Sequence, residues 1–183
     1  LAEDFSLSPD KMLAAAAEHQ ASLVILCNPN NPTGNSIPAK DIEAIIAGAD
    51  CPVVVDEAYM EFCDDSELTM IHELVEYPNM LILRTFSKAF GLAGCRVGYL
   101  VGQEDAINMV SKVKPPYNLN VFSQAIAEVA LDYKEVLLGE VQKVCALRDE
   151  FIETVSELSH AEVFPSATNF VLLRTDRVEA LQK

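Results

Sequence analysis

The sequence predicts an α/β fold, a mostly parallel sheet with helices on both faces. Three observations carry that expectation. Short apolar runs of strand length recur along the chain, segments of helical period separate them, and the runs are apolar at nearly every position. Alternating strand and helix patterns mark βαβ units. A strand without polar alternation suits burial on both faces, as in a parallel sheet.

In chain order, Pro9 to His19 reads as a helix, with proline in its first turn and Ser8 beside it. Leu23 to Cys27 is the first strand. Pro38 to Ala47 is a second helix of the same kind, with Ser36 nearby. Val53 to Asp56 is the second strand, Ser66 to Val75 a weaker helix, and Met80 to Arg84 the third strand. Arg96 to Val101 reads as a further strand closed by Gly102. Val121 to Asp132 is an alanine-rich helix. Lys134 to Leu158 keeps an apolar stripe through Val141, Val144, Phe151 and Val155, which suits one long helix bridging two domains. Glu162 to Phe164 and Asn169 to Arg174 read as strands of a second layer, parted by the Pro165-Ser166 turn. The expected division is residues 1–140 as the C-terminal half of a large domain. Residues 141–183 are then the interdomain helix and the start of a smaller α/β domain.

The chain has 183 residues, half of them hydrophobic, enough for one good core and part of a second. It begins at Leu1 and stops at Lys183 within what reads as a nascent helix, so a piece of a longer protein is expected. The net charge of −15 argues against nucleic acid, which needs a basic face, and suits a solvated, self-repelling surface. An anionic ligand would need local basic partners, and Lys88 and Arg96 are the obvious pair. No run of eighteen apolar residues occurs, so no membrane span is expected. Cys27, Cys51, Cys63, Cys95 and Cys145 are scattered and form no C-x-x-C pair, as suits free thiols in a reducing cytoplasm. Cys27 and Cys95 read as small buried hydrophobes. His19, His72 and His160 lack ligand spacing, so no metal site is expected.

The chemistry concentrates at three strand ends. The first apolar run leads into Asn28-Pro29-Asn30-Asn31-Pro32-Thr33-Gly34, the second into Asp56-Glu57-Ala58-Tyr59, and the third into Thr85-Phe86-Ser87-Lys88. Ligands of open parallel sheets collect at the carboxyl ends of the strands, so the three clusters converge on one rim. Lys88 follows the hydroxyl residues Thr85 and Ser87, with Arg96 eight positions on. That suits a lysine that forms an imine with an aldehyde cofactor, while Thr85, Ser87 and Arg96 hold the cofactor's phosphate. In this order and at these intervals, the three stretches resemble the pyridoxal-phosphate enzymes of the aspartate aminotransferase superfamily, most nearly its histidinol-phosphate branch.

The resemblance implies fold type I of the pyridoxal-phosphate transferases and a role for each residue. Lys88 is the nucleophile. A lysine near its ordinary pKa of ~10.4 is mostly protonated at neutral pH, and burial or a neighbouring cation such as Arg96 lowers that value. The freed amine then moves a proton between the substrate's α-carbon and the cofactor. The competing reading is a surface lysine after a strand. Asp56 ends an apolar strand, where an unpaired carboxylate is costly. A protonated pyridine nitrogen would pair with it and make the ring an electron sink; a structural helix cap is the other reading. Glu57 faces the opposite side and reads as structural. Tyr59 and Asn31 would hydrogen-bond the ring's phenolate oxygen, Asn31 from an N-P-T-G turn that also has a backbone role. Arg96 would grip the phosphate in bidentate fashion, with the Thr85 and Ser87 hydroxyls and a helix N-terminus that they open. Gly91, Gly94 and Gly98 read as backbone accommodation, since their spacing makes no dinucleotide fingerprint.

Two later stretches favour the same branch: Lys114-Pro115-Pro116-Tyr117-Asn118-Leu119-Asn120 and Ser166-Ala167-Thr168-Asn169-Phe170. The resemblance further implies a homodimer acting on an amino acid or amino-phosphate and a 2-oxo acid. A ring-stacking aromatic and a partner's tyrosine are expected upstream of Leu1, and a carboxylate-binding arginine beyond Lys183, so this chain alone is expected to be inactive. Threonine-phosphate decarboxylase, an aromatic or broad-specificity aminotransferase, and a non-catalytic domain that senses the cofactor stand as alternatives.

Overall fold

The computed structural model describes residues 3–63 and 68–178. Its centre is a four-stranded sheet of β1 (Val24–Cys27), β2 (Val53–Asp56), β3 (Met80–Thr85) and β4 (Gly98–Gly102), in that spatial order. β1, β2 and β3 run parallel, and β4 returns antiparallel beside β3. Cys27 is level with Asp56, and Asp56 with Leu83, so β1 and β2 end level and β3 runs two residues further in the same direction, to Thr85. The register therefore gathers all three polar motifs on a single rim.

One face of the sheet holds the main core. Val24 and Leu26, Val53 and Val55, and Met80 and Ile82 alternate toward it and meet Ile42, Ile45 and Ile46 of α2 (Ala39–Gly48). Full burial of each aliphatic side chain contributes about 1.5–3 kcal/mol. α1 (Pro9–Glu18) packs alongside α2 through Met12, Leu13 and Ala16. Pro9 occupies its first turn, and Ser8 Oγ accepts from Lys11 N at 3.5 Å, as the sequence suggested. On the other face, Val54 and Leu81 are buried but Ile25 is 61% exposed. There α3 (Glu104–Ser111) lies against β4, and Ile107 and Leu81 crowd Gly102.

α4 (Val121–Asp132) is capped by Asn120, whose Oδ1 accepts from Ser123 N at 2.9 Å. α5 (Lys134–Ser156) is one continuous helix, and beyond it β5 (Ala161–Val163) and β6 (Leu173–Thr175) form a separate antiparallel pair. Among the described residues, no helix is long and apolar enough to cross a membrane.

Three expectations need adjustment, and one element was not foreseen. β4 starts at Gly98, because Arg96 adopts a left-handed conformation (φ 56°) that a strand cannot continue through. α3 was not anticipated. The start of the Ser66–Val75 helix lies outside the described residues, and its remainder is a short 3₁₀ turn at Met70–Glu73. Glu57 Oε1 accepts from Met70 N at 2.7 Å there, and the Thr69 hydroxyl accepts from Ile71 N. The strand expected at Asn169–Arg174 begins only at Leu173, because Ser166 and Thr168 fold the preceding residues into a turn.

Candidate active site

The first rim segment is a turn built by its own side chains. Asn28 is fully buried where β1 ends, and its Oδ1 accepts from Ile37 N at 2.7 Å. Asn30 N donates to Asn35 O and Gly34 N to Asn30 O, both at 2.8 Å. Asn30, Thr33 and Asn35 are linked through their side chains. This closure leaves Asn31 exposed on the outside of the turn, where Nδ2 donates to Tyr59 Oη at 2.8 Å. The two side chains expected at one phenolate oxygen thus meet each other.

Gly34 is needed in that turn for two reasons. Its φ of +81° is strained for any residue with a Cβ, and a Cβ there would stand 2.9 Å from Ser166 Oγ. Ala167 N also donates to Gly34 O at 2.8 Å, so the Ser166–Phe170 turn is docked directly on the Asn31 turn. Gly34→Ala is expected to destabilise the fold by about 1–3 kcal/mol, the range for a left-handed non-glycine residue with added steric conflict. A urea-unfolding midpoint unchanged from wild type would contradict this.

Asp56 ends β2, half-buried between the ends of β1 and β3, and its Oδ1 accepts from Ala58 N at 3.1 Å. Tyr59 follows and is buried, its ring edge-on to Phe170 with centroids 5.3 Å apart. Phe62, Val141 and Cys145 complete that apolar cluster, with Ala89 packed against it. Lys88 Nζ lies over the Tyr59 ring, 5.0 Å from its centroid, within cation–π range. Lys88 is itself exposed. Burial pushes the Cys27 thiol above its ordinary value; the backbone of Asn31 opposes the shift and the Asp56 carboxylate adds to it. Cys27 is therefore a neutral thiol at pH 7, in keeping with a small hydrophobe.

Thr85 Oγ1 donates to Val97 O at 3.3 Å and accepts from Ser87 N at 3.0 Å. Phe86 N donates to Val97 O, which ties the Lys88 loop to the residue after Arg96. No helix opens at Thr85 or Ser87. Lys88 to Gly91 close a turn through Gly91 N and Lys88 O, so the expected helix N-terminus is absent and any anion there relies on side chains and turn amides. Arg96 is exposed and its Nη1 donates to Ala93 O at 2.9 Å, within its own loop. Asn31 and Lys88 thus each contact Tyr59, the first at its hydroxyl and the second over its ring. Asp56, Thr85 and Ser87 stand at the neighbouring strand ends, and Arg96 closes the loop that begins at Thr85.

Sequence reasoning missed Phe170 as a wall of this site. It also missed the ion pair behind the site, where Arg84 meets Glu57 and Glu61 at 2.8 and 2.9 Å. The first had a signal in the Ser166–Phe170 stretch. The second had one in the charge pair that flanks Asp56 and Thr85.

An amine, a carboxylate, a phenol–amide pair and a hydroxyl-rich loop thus stand at adjacent strand ends of an α/β domain. The chain belongs to the aminotransferase class I and II family, whose model matches residues 1–183. It is 42% identical over 173 residues to the histidinol-phosphate aminotransferase of Ruminiclostridium cellulolyticum, covering 94% of this chain and 48% of that protein. It also resembles the structure of histidinol-phosphate aminotransferase from Sinorhizobium meliloti in complex with pyridoxal-5'-phosphate. The TM-score is 0.87 at 31% identity, covering 98% of this chain and 49% of the other. L-threonine-O-3-phosphate decarboxylase from Porphyromonas gingivalis matches with a TM-score of 0.76 at 27% identity, over 85% of this chain and 48% of that one. The fold is thus the type I fold of pyridoxal-phosphate transferases. The chain spans about half the length of the curated relatives it matches.

Proposed function

We propose that this chain is the cofactor-binding part of a pyridoxal-phosphate aminotransferase. The reaction would move the amino group of histidinol phosphate to 2-oxoglutarate, giving imidazole-acetol phosphate and glutamate in histidine biosynthesis. The observation that carries the reading is the contact of Tyr59 with both Asn31 and Lys88, close in the chain to Asp56 at the end of β2. The residues fit the cofactor part by part. Lys88 Nζ suits its aldehyde, the Asn31–Tyr59 pair its phenolate oxygen, and Asp56 its ring nitrogen. Thr85, Ser87 and Arg96 suit its phosphate. Bound there, pyridoxal phosphate supplies a carbonyl that captures an amino group and a ring that accepts the α-carbon's electrons.

The chain's own groups do the rest of the work. Lys88 Nζ carries the proton from the α-carbon, Asp56 holds the ring-nitrogen proton, and Arg96 neutralises the phosphate. Residues 1–140 form part of the large domain, and residues 141–183 are the bridging helix and the first hairpin of the small one. The separate β5–β6 sheet supports that division. The complete protein is read as a cytoplasmic homodimer, as the family resemblance implies.

The test is borohydride reduction after incubation with pyridoxal phosphate, followed by peptide mapping, on this chain and on the complete gene product. A single pyridoxyl adduct on Lys88 is expected. Adducts scattered over Lys40, Lys112 and Lys143, with none on Lys88, would overturn the assignment. Threonine phosphate offered as substrate to the complete protein separates the decarboxylase alternative, since carbon dioxide release is unique to it.

A further inference from the structure

The most tightly bonded polar cluster among the described residues lies behind the rim and takes no part in the roles given so far. Arg84 is at its centre. Nε and Nη2 donate to Glu57 Oε2 at 2.9 and 2.8 Å, Nη1 donates to Glu61 Oε1 at 2.9 Å, and Nη2 reaches Thr69 Oγ1 at 3.0 Å. Glu57 is fully buried, and its carboxylate also accepts from the Thr69 hydroxyl and from Met70 N. Every nitrogen of the guanidinium is engaged, so its orientation is fixed in three directions.

The partners are placed in a way that matters. Glu57 is the neighbour of Asp56, and Glu57 N donates to Leu83 O, continuing the pairing of β2 with β3 by one residue. Arg84 is the neighbour of Thr85, three residues before Ser87 and four before Lys88. Successive side chains in a strand point to opposite faces. Arg84 and Thr85 therefore lie back to back across the sheet, and Glu57 stands in the same relation to Asp56. Glu61 sits in the 3₁₀ turn Met60–Phe62 that starts directly after Tyr59. One cation on the rear face thus binds the backbone segments that present Asp56, Tyr59 and the Thr85–Lys88 loop on the front.

We propose that Arg84, through its ion pairs with Glu57 and Glu61, is a positioning residue that sets the spacing between the Asp56–Tyr59 segment and the Thr85–Lys88 loop, and hence cofactor affinity and ring orientation. The proposal rests on the assignment of Lys88 and Asp56 to the cofactor. Arg84 lies on the sheet face opposite to Thr85 and acts through its neighbours. Its effect is transmitted by strand alternation and by the rigidity of a fully bonded fork. Lysine cannot substitute, because a point charge on a flexible stem cannot hold three acceptors in one plane.

The experiment compares wild type, Arg84→Lys, Arg84→Met and the double variant Glu57→Met/Arg84→Met in the complete gene product. Three quantities are read: the thermal midpoint without cofactor, the pyridoxal-phosphate dissociation constant, and the visible circular dichroism per bound cofactor, which reports ring orientation. Arg84→Met is expected to lower the midpoint, because it strands a buried carboxylate. The double variant recovers part of the midpoint, since it removes the stranded charge but leaves Met70 N without its Glu57 acceptor. Neither variant recovers affinity or dichroism. Arg84→Lys keeps the fold but weakens cofactor binding at least about tenfold, the scale seen when an outer-shell partner is lost.

A double variant that regains affinity and dichroism together with stability would show a purely structural pair and overturn the proposal. So would Arg84→Lys with wild-type affinity and dichroism, and that variant alone decides if the methionine variants fail to fold. A wild-type protein with no adduct on Lys88 defeats the site assignment, and the proposal with it. A normal wild-type adduct with unaffected variants defeats the positioning role alone.

Discussion

Lys88→Ala is expected to eliminate the borohydride-trapped adduct completely while leaving the fold almost unchanged. The reason is the asymmetry between what the Lys88 backbone and side chain do. The backbone carbonyl accepts from Gly91 N at 3.0 Å and so closes the loop, and Ala89 next door packs on the Tyr59 cluster. The side chain is exposed, and its cation–π contact with Tyr59 is worth about 0.5–1 kcal/mol at such a site. Removing the amine thus costs a fraction of ordinary domain stability, but it removes the one primary amine of the Thr85–Val97 loop, the group that an imine requires. Urea unfolding and adduct mapping on the same samples make the check. A full adduct at another residue in Lys88→Ala would take Lys88 out of its role. A large loss of stability would mean that the amine has a structural task not visible in its contacts.

The fold was legible wherever local pattern and tertiary environment agree. The three parallel strands and α1, α2 and α4 lie within a residue or two of where apolar runs, prolines and alanine content put them. The pattern failed where the backbone answers to a single distant group. Arg96 reads as the start of a strand, but its left-handed conformation delays β4 to Gly98. Residues 68–75 carry helix formers, but the buried Glu57 carboxylate bonds Met70 N and the result is a short 3₁₀ turn. α3 had readable signs, Glu104 and Asp105 in its first turn and an amphipathic pattern, but it is only 8 residues long.

The site was legible as chemistry and less so as geometry. Residue types alone pointed to an amine, a carboxylate and a phenol–amide pair on one rim, and the strand register places them there. The expected helix N-terminus behind Ser87 did not form, because Gly91 and the Phe86–Val97 pairing turn the chain back toward β4. The docking of Ser166–Phe170 on Gly34 and Tyr59 spans more than 100 residues of sequence, beyond the reach of any local pattern.

Asp56 allows its two readings, counter-ion for a ring nitrogen and structural cap, to be separated by two substitutions. Oδ1 accepts from Ala58 N at 3.1 Å, an Asx turn rather than a helix cap, so a local structural role is present in the geometry. A net backbone hydrogen bond of this kind contributes about 0.5–1.5 kcal/mol, and Asp56→Ala should lose about that much stability. Asp56→Asn retains an oxygen for Ala58 N and should keep the stability, yet it carries no charge. If the carboxylate acts as counter-ion in the complete protein, both variants still bind the cofactor, more weakly. Both also slow proton abstraction from the α-carbon by about 10²–10³-fold, the scale for losing one preorganised electrostatic partner. The measurement is the single-turnover rate with α-deuterated and protiated substrate, whose isotope effect should grow as that step becomes limiting. Near-wild-type turnover in Asp56→Asn beside a slow Asp56→Ala would assign Asp56 to that structural role, and the carboxylate at the end of β2 would then owe its place to the turn before Tyr59 rather than to the ring.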